Sequence, residues 1–208
     1  VRSNVVLISN LDTKKRSVGS ISVKKNIILS LVAISINTLV YAQNITILNP
    51  SENIGINNWR IINDGVMGGI SESSIYINKE NNIIFNGFVS LENNGGFCSC
   101  RISLNDNKLK DIESFVLRVK GDGKIYKFRL RMDGSYLKNI EYSSDFQTKK
   151  DEWIDVIIPV KNFKPYLYGF RSRISPKLKT QRINSMGFLI ADKQEGNFNL
   201  EIMYVKTI

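Results

Sequence analysis

The sequence predicts an all-β protein folded as a two-sheet jelly-roll sandwich. From Trp59 onward, short apolar segments alternate with polar turn clusters, and no stretch keeps a 3.6-residue apolar period. Asn and Ile are abundant while only four Pro occur, a balance that suits many short strands joined by turns better than a helical bundle. About nine or ten candidate strands follow Trp59, more half-apolar strands than one flat sheet could bury. The 208 residues are 42% hydrophobic, with ten Phe, eight Tyr and two Trp, enough for a real core.

In chain order, residues 1–42 read as a leader. Lys24 and Lys25 precede an apolar run from Ile27 to Val40 that ends at Tyr41-Ala42 before Gln43, the pattern of a secretory signal cleaved after Ala42. Ser30, Ser35, Asn37 and Thr38 break this run, which is shorter than the roughly 20 apolar residues of a spanning helix. No transmembrane helix is expected in the mature chain. Residues 1–22 read as upstream sequence outside the mature protein. Arg2, Lys14, Lys15 and Arg16 with one acid, Asp12, raise a mitochondrial presequence as the alternative, but a continuous apolar run favours bacterial export. Residues 43–58 are expected to be an extension, and 59–208 the sandwich.

Within that domain the clearest strand is Tyr126–Met132. Tyr126, Phe128, Leu130 and Met132 share one face and Lys127, Arg129 and Arg131 the other, so one side is buried and one wet. Phe198, Leu200, Ile202 and Tyr204 repeat the pattern near the C-terminus and would close a sheet. Further strands are expected at Ile75–Ile77, Ile83–Leu91, Phe97–Leu104, Phe115–Lys120, Tyr136–Tyr142, Trp153–Pro159 and Met186–Ala191. Asn63-Asp64-Gly65, Gly68-Gly69, Asn94-Gly95-Gly96, Gly121-Asp122-Gly123 and Asp133-Gly134 supply the positive-φ turns between them.

Composition then excludes much chemistry. There is no histidine, which removes the commonest general base, imidazole triads and most zinc sites. Cys98 and Cys100 lie i and i+2 on one strand face, where a disulfide would be strained, and read as buried free thiols. The glycines around Val66 and Met67 fit neither a phosphate-binding loop nor a dinucleotide fingerprint, and Asp64, Glu72, Asp122, Asp133 and Asp192 lack EF-hand spacing. No cofactor, metal or catalytic residue is expected. The formal charge is +10, but residues 1–42 hold six of the 29 basic and one of the 19 acidic residues, leaving 23 against 18, or +5. An excess of that size reads as a solvated surface, and no nucleic-acid partner is expected. Lys164 to Arg171, with Tyr166, Tyr168 and Phe170, reads as an aromatic loop able to grip a protein or stack on a sugar.

With strands and turns placed, a set of segments resembles the complex I intermediate-associated protein 30 family. These are Trp59; Asn63-Asp64-Gly65-Val66-Met67-Gly68-Gly69 with Ser71 and Ser73; Phe85-Asn86-Gly87; and Val89-Ser90-Leu91. They continue as Asn94-Gly95-Gly96-Phe97 with Ser99 and Arg101, then Arg118-Val119-Lys120-Gly121-Asp122-Gly123 with Tyr126. Trp153, Ile158-Pro159, Phe163, Ile190, Asp192-Lys193-Gln194 and Gly196-Asn197-Phe198 complete the set. The resemblance implies a galactose-binding-like jelly roll, the fold of many carbohydrate-binding modules. It also implies a protein partner, because the family's mitochondrial members are assembly factors that hold intermediates of respiratory complex I.

From the residues themselves, Asp64 and Asp122 beside glycines are expected to form Asx-type turns, with Arg101 and Arg118 bridging to them across one sandwich end. Those four, together with Met67, Phe97, Tyr166 and Tyr168, are the candidate binding residues. A non-catalytic protein-binding domain is the first expectation. A carbohydrate-binding module using Tyr166, Tyr168 and Trp59 as platforms is the second, and an enzyme built on a carboxylate pair the third.

Overall fold

Period-two alternation becomes strand wherever one face can be buried. The computed structural model describes residues 44–104, 109–134 and 139–208. The described strands are β1 (Thr46–Leu48), β2 (Arg60–Ile61), β3 (Glu72–Ile77), β4 (Ile83–Val89), β5 (Cys98–Ser103), β6 (Ser114–Lys120) and β7 (Ile125–Met132). They continue with β8 (Ile140–Gln147), β9 (Trp153–Pro159), β10 (Lys164–Leu167), β11 (Phe170–Arg171), β12 (Ile183–Ile190) and β13 (Gly196–Thr207). One sheet runs β3-β4-β13-β6-β9, with β1 also paired to β13, and the other runs β11-β10-β8-β7-β12-β5-β2. Every strand pairing is antiparallel.

The inner faces of the two sheets meet in an aromatic core. Phe85, Phe115, Tyr126, Phe128 and Phe188 are fully buried. Phe115 of β6 lies edge-on to Phe128 of β7 at 5.4 Å, and Tyr126 of β7 meets Phe198 of β13 at 6.4 Å, so ring contacts tie one sheet to the other. Tyr126, Phe128, Leu130 and Met132 all point inward, as the alternation in β7 requires.

Three expectations shift. The strand predicted at Tyr136–Tyr142 is β8, Ile140–Gln147: Tyr142 and Phe146 face the core, and residues 135–138 lie outside those described. In β13 the register slips between Ile202 and Tyr204, so Tyr204 leaves the core and Val205 takes the inward place. The segment Lys164 to Arg171, expected as a loop, is the hairpin β10–β11. Tyr168 (φ 50°) and Gly169 (φ 83°) both take positive φ at its tip, the two central positions of a tight hairpin. Pro165 has no N–H to give a strand ladder, yet its carbonyl accepts from Ser172 N–H at 2.9 Å, so the missing N–H falls on that same side and costs no bond to β8.

Residues 43–58, expected as an extension, contribute β1, whose Leu48 is fully buried, and Gly55, whose carbonyl accepts from Trp59 Nε1 at 3.1 Å. The expected leader, its cleavage after Ala42 and the upstream segment 1–22 lie outside the described residues. No helix among the described residues is long and apolar enough to cross a membrane.

Candidate binding groove

A 3₁₀ turn, Asp64–Met67, begins the site, and Asp64 is the reason it holds its shape. The carboxylate is fully buried and accepts from Ser71 N–H (3.0 Å), the Ser71 hydroxyl, Gly96 N–H (2.6 Å) and Phe97 N–H (3.2 Å). Ser71 Oγ in turn accepts from Ser90 N–H at 2.9 Å. Burial alone would raise this carboxyl, but the Ser71 hydroxyl and the three backbone donors outweigh it and hold its pKa below the usual 3.8. Two glycines make room: a Cβ on Gly69 would stand 2.4 Å from Asp64 Cγ, and one on Gly95 2.6 Å from Asp64 Oδ2. The Asn-Asp-Gly and Asn-Gly-Gly-Phe segments are thus two loops clasped through one buried carboxylate.

That clasp presents Met67 and Phe97 at one wall of a groove of about 450 Å³ on the outer face of the seven-stranded sheet. The opposite wall is the β10–β11 hairpin, with Tyr166, Tyr168 and Gly169. Tyr168 is 72% exposed, and its hydroxyl accepts from Asn139 Nδ2 at 2.8 Å. Met67 on one wall and Tyr168 on the other are both more than half exposed, so the rim is apolar, whereas Phe170 pairs with Leu167 and faces away from the groove.

The floor is ionic. Arg101 of β5, Arg129 and Arg131 of β7 all close on the single carboxylate of Glu141 of β8. Arg131 Nε donates to Glu141 Oε1 at 2.7 Å. These are well-covered groups: side-chain exposure is 16% for Arg129 and 11% for Glu141. Burial, then the neighbouring Arg101 and Arg131 guanidiniums, push Arg129 down to about 9. Alongside, Lys127 bridges Asp145 (2.9 Å) and Asp192 (2.7 Å) at the more exposed end. Ser143 of β8 also lines the groove, 6% exposed, and its hydroxyl has no hydrogen-bond partner among the described residues.

Four of the eight candidate residues, Met67, Phe97, Tyr166 and Tyr168, line the groove together. Asp64 lies behind them as their support, and Arg101 does not line the groove but pairs with Glu141 of its floor. The expected bridges from Arg101 and Arg118 to Asp64 and Asp122 do not form, because the four residues face different neighbours. Arg101 turns to Glu141, while Arg118 on the other sheet donates to Asp155 at 3.0 Å beside Trp153. Asp122 does make an Asx turn with Lys124 N–H (3.1 Å) and also accepts from Tyr126 Oη and Asn199 N–H, away from the groove. Trp59 is partly buried against Phe188 rather than displayed as a platform. Cys98 and Cys100 are free and buried, and burial pushes both thiols up to about 12, so neither is a ready nucleophile at neutral pH.

Sequence reasoning missed Glu141 and Ser143. The available signal was an acid followed by Ser143 in a strand whose other face carries Tyr142, but nothing in the sequence says that β8 lies beside β7. The "wet" stripe Lys127, Arg129, Arg131 is therefore a covered ion-pair network.

Comparison with known proteins matches this frame. Residues 48–202 match the family described as Complex I intermediate-associated protein 30. A relative from Mus musculus, "Complex I intermediate-associated protein 30, mitochondrial", is 28% identical over 169 residues. That match covers 72% of this chain, which spans about half (52%) of the mouse protein's own length. Among solved structures, the family 11 carbohydrate-binding module of a Clostridium thermocellum cellulosomal cellulase superposes with a TM-score of 0.62 at 16% identity, covering 81% of this chain and 96% of its own. The same family's module in complex with a β-1,3-1,4-mixed-linked tetrasaccharide gives 0.60 at 17%, covering 79% and 95%. A family 30 carbohydrate-binding module gives 0.53 at 12%, covering 79% and 98%. The structures share the β-sandwich fold, and the sequence match runs from β1 into β13; the chain belongs to the complex I intermediate-associated protein 30 family.

Proposed function

We propose that the chain is a non-catalytic binding domain of assembly-factor type that holds a protein partner in the groove between the Asp64–Met67 turn and the β10–β11 hairpin. The apolar rim is the observation that carries this reading. Met67 (64% exposed) and Tyr168 (72%) are displayed on facing walls, where thioether and aromatic groups suit a peptide side chain. Family membership supports a protein partner, and a complex I intermediate is the partner that the mouse relative's name points to. Raised thiols and a Glu141 committed to arginines support a site without covalent or proton-transfer chemistry.

A carbohydrate ligand is the second reading. The exposed Tyr168 ring beside polar floor groups favours it, and the likeness in fold to carbohydrate-binding modules is consistent with it. For location, the sequence favours export from a bacterial cytoplasm, whereas the mouse relative's name supports the mitochondrial alternative. N-terminal sequencing of the mature protein tests the leader: a start at Gln43 is expected.

The experiment is a pull-down by residues 43–208 and by the same chain carrying Met67→Ala and Tyr168→Ala, with captured subunits identified by mass spectrometry and a glycan array run on both samples. Complex I subunits retained by the first and lost by the second are the expected result. Glycans bound by the first and lost by the second, with no such subunit captured, would overturn it in favour of the sugar-binding reading.

A further inference from the structure

The groove floor carries more positive charge than its carboxylate can neutralise. Arg101 and Arg129 enter from β5 and β7 with Gly187 of β12 between them in register, and both close on Glu141. One carboxylate compensates one guanidinium, so among the described residues at least one cation stays uncompensated in a well-covered position. Guanidinium does not give up its proton in a protein, so the charge persists. Burial and like-charge neighbours make it costly, in keeping with the downward push on Arg129.

Next to it stands the Ser143 hydroxyl, without a hydrogen-bond partner among the described residues and directly opposite Arg129 in the β7–β8 register. A free O–H donor beside an under-neutralised guanidinium is a matched pair for one anionic oxygen ligand. The acids at the other end, Asp145 and Asp192, are 56% and 62% exposed and already shared by Lys127, so solvent screens them from this point.

We propose that the Arg129–Ser143 floor, with Arg101 drawing on the same Glu141 from behind it, is a receptor for a carboxylate, and that it takes a Glu or Asp side chain of an acidic peptide segment flanked by apolar residues. The flanks follow from the rim, where Met67 and Phe97 on one side and Tyr168 on the other border the floor. This rests on the groove being the partner's site and names the chemistry it reads there.

The test uses the full chain and the blocked peptide acetyl-Leu-Glu-Phe-amide, with the Gln version as its neutral match and polygalacturonate and inorganic phosphate as further arms, by calorimetry and by ¹⁵N NMR of the arginine Nε–H signals. The Glu peptide is expected to bind at least about tenfold tighter than the Gln peptide, with the Arg129 signal moving. That advantage should shrink in 0.5 M salt, vanish in Arg129→Gln and fall about threefold in Ser143→Ala. The wild-type Glu-to-Gln ratio decides the matter even if Arg129→Gln fails to fold. Equal binding of both peptides, abolished for both by Met67→Ala with Tyr168→Ala, would overturn the carboxylate receptor while leaving the protein-binding groove standing. Polygalacturonate or phosphate bound more tightly than the Glu peptide would also overturn it.

Discussion

Asp64 shows how one residue can set a site without touching a ligand. Its carboxylate gathers donors from Ser71, Gly96 and Phe97, so removing it leaves buried N–H groups unpaired and frees both loops of one groove wall. Asp64→Ala should cost about 2–4 kcal/mol in urea unfolding. Because the folded carboxyl sits below 3.8, its contribution is complete above that pH and is lost as pH falls through the lowered folded value. Stability followed from pH 6 to pH 2 should therefore fall less steeply in Asp64→Asn than in the wild type; parallel curves would contradict the buried hydrogen-bonded carboxylate. Gly95→Ala should fail in the same place, since its Cβ would meet Asp64 Oδ2 at 2.6 Å and Ser90 O at 2.9 Å. The motif residues were legible in the sequence as turn formers. Their convergence on one carboxylate was not, because Asp64 and Gly96 are joined only after β3 and β4 have folded back.

At the scale of the element, the β10–β11 hairpin separates binding from folding. Tyr168 adopts a left-handed conformation that a bulky residue takes reluctantly, and Asn tolerates it better. Tyr168→Asn should leave the melting temperature unchanged or raise it by about 1–3 °C, yet weaken partner capture by about tenfold. A variant that loses both stability and binding would mean that the ring serves the fold instead. The sequence hides this element for two reasons: Pro165 cannot donate to a strand ladder, and the tip lacks the Asn-Gly or Asp-Gly pair that marks tight hairpins. Strand β7 is the opposite case, since its alternation of Tyr126, Phe128, Leu130 and Met132 with cations was legible directly and the inward set is buried.

For the whole molecule, stability rests on the core and on sheet pairing. Both cysteines are free, so a reductant should leave the thermal midpoint where it is; a drop of several degrees would contradict the buried thiols. Phe128→Ala should cost about 3–5 kcal/mol, because its ring touches Phe115, Phe163 and Phe188 and joins the two sheets. The amino-acid sequence by itself determined the fold class, most strands, the turn positions, the buried thiols and the family, because these depend on local alternation, positive-φ residues and motif order. Only the tertiary structure decided that Met67, Phe97, Tyr166 and Tyr168 share a groove and that Arg101, Arg129 and Arg131 meet on Glu141. The physical reason is that a period of two says which residues share a strand face, whereas the order β10-β8-β7-β12-β5, set by how the two sheets bury their inner faces, says which strands lie side by side.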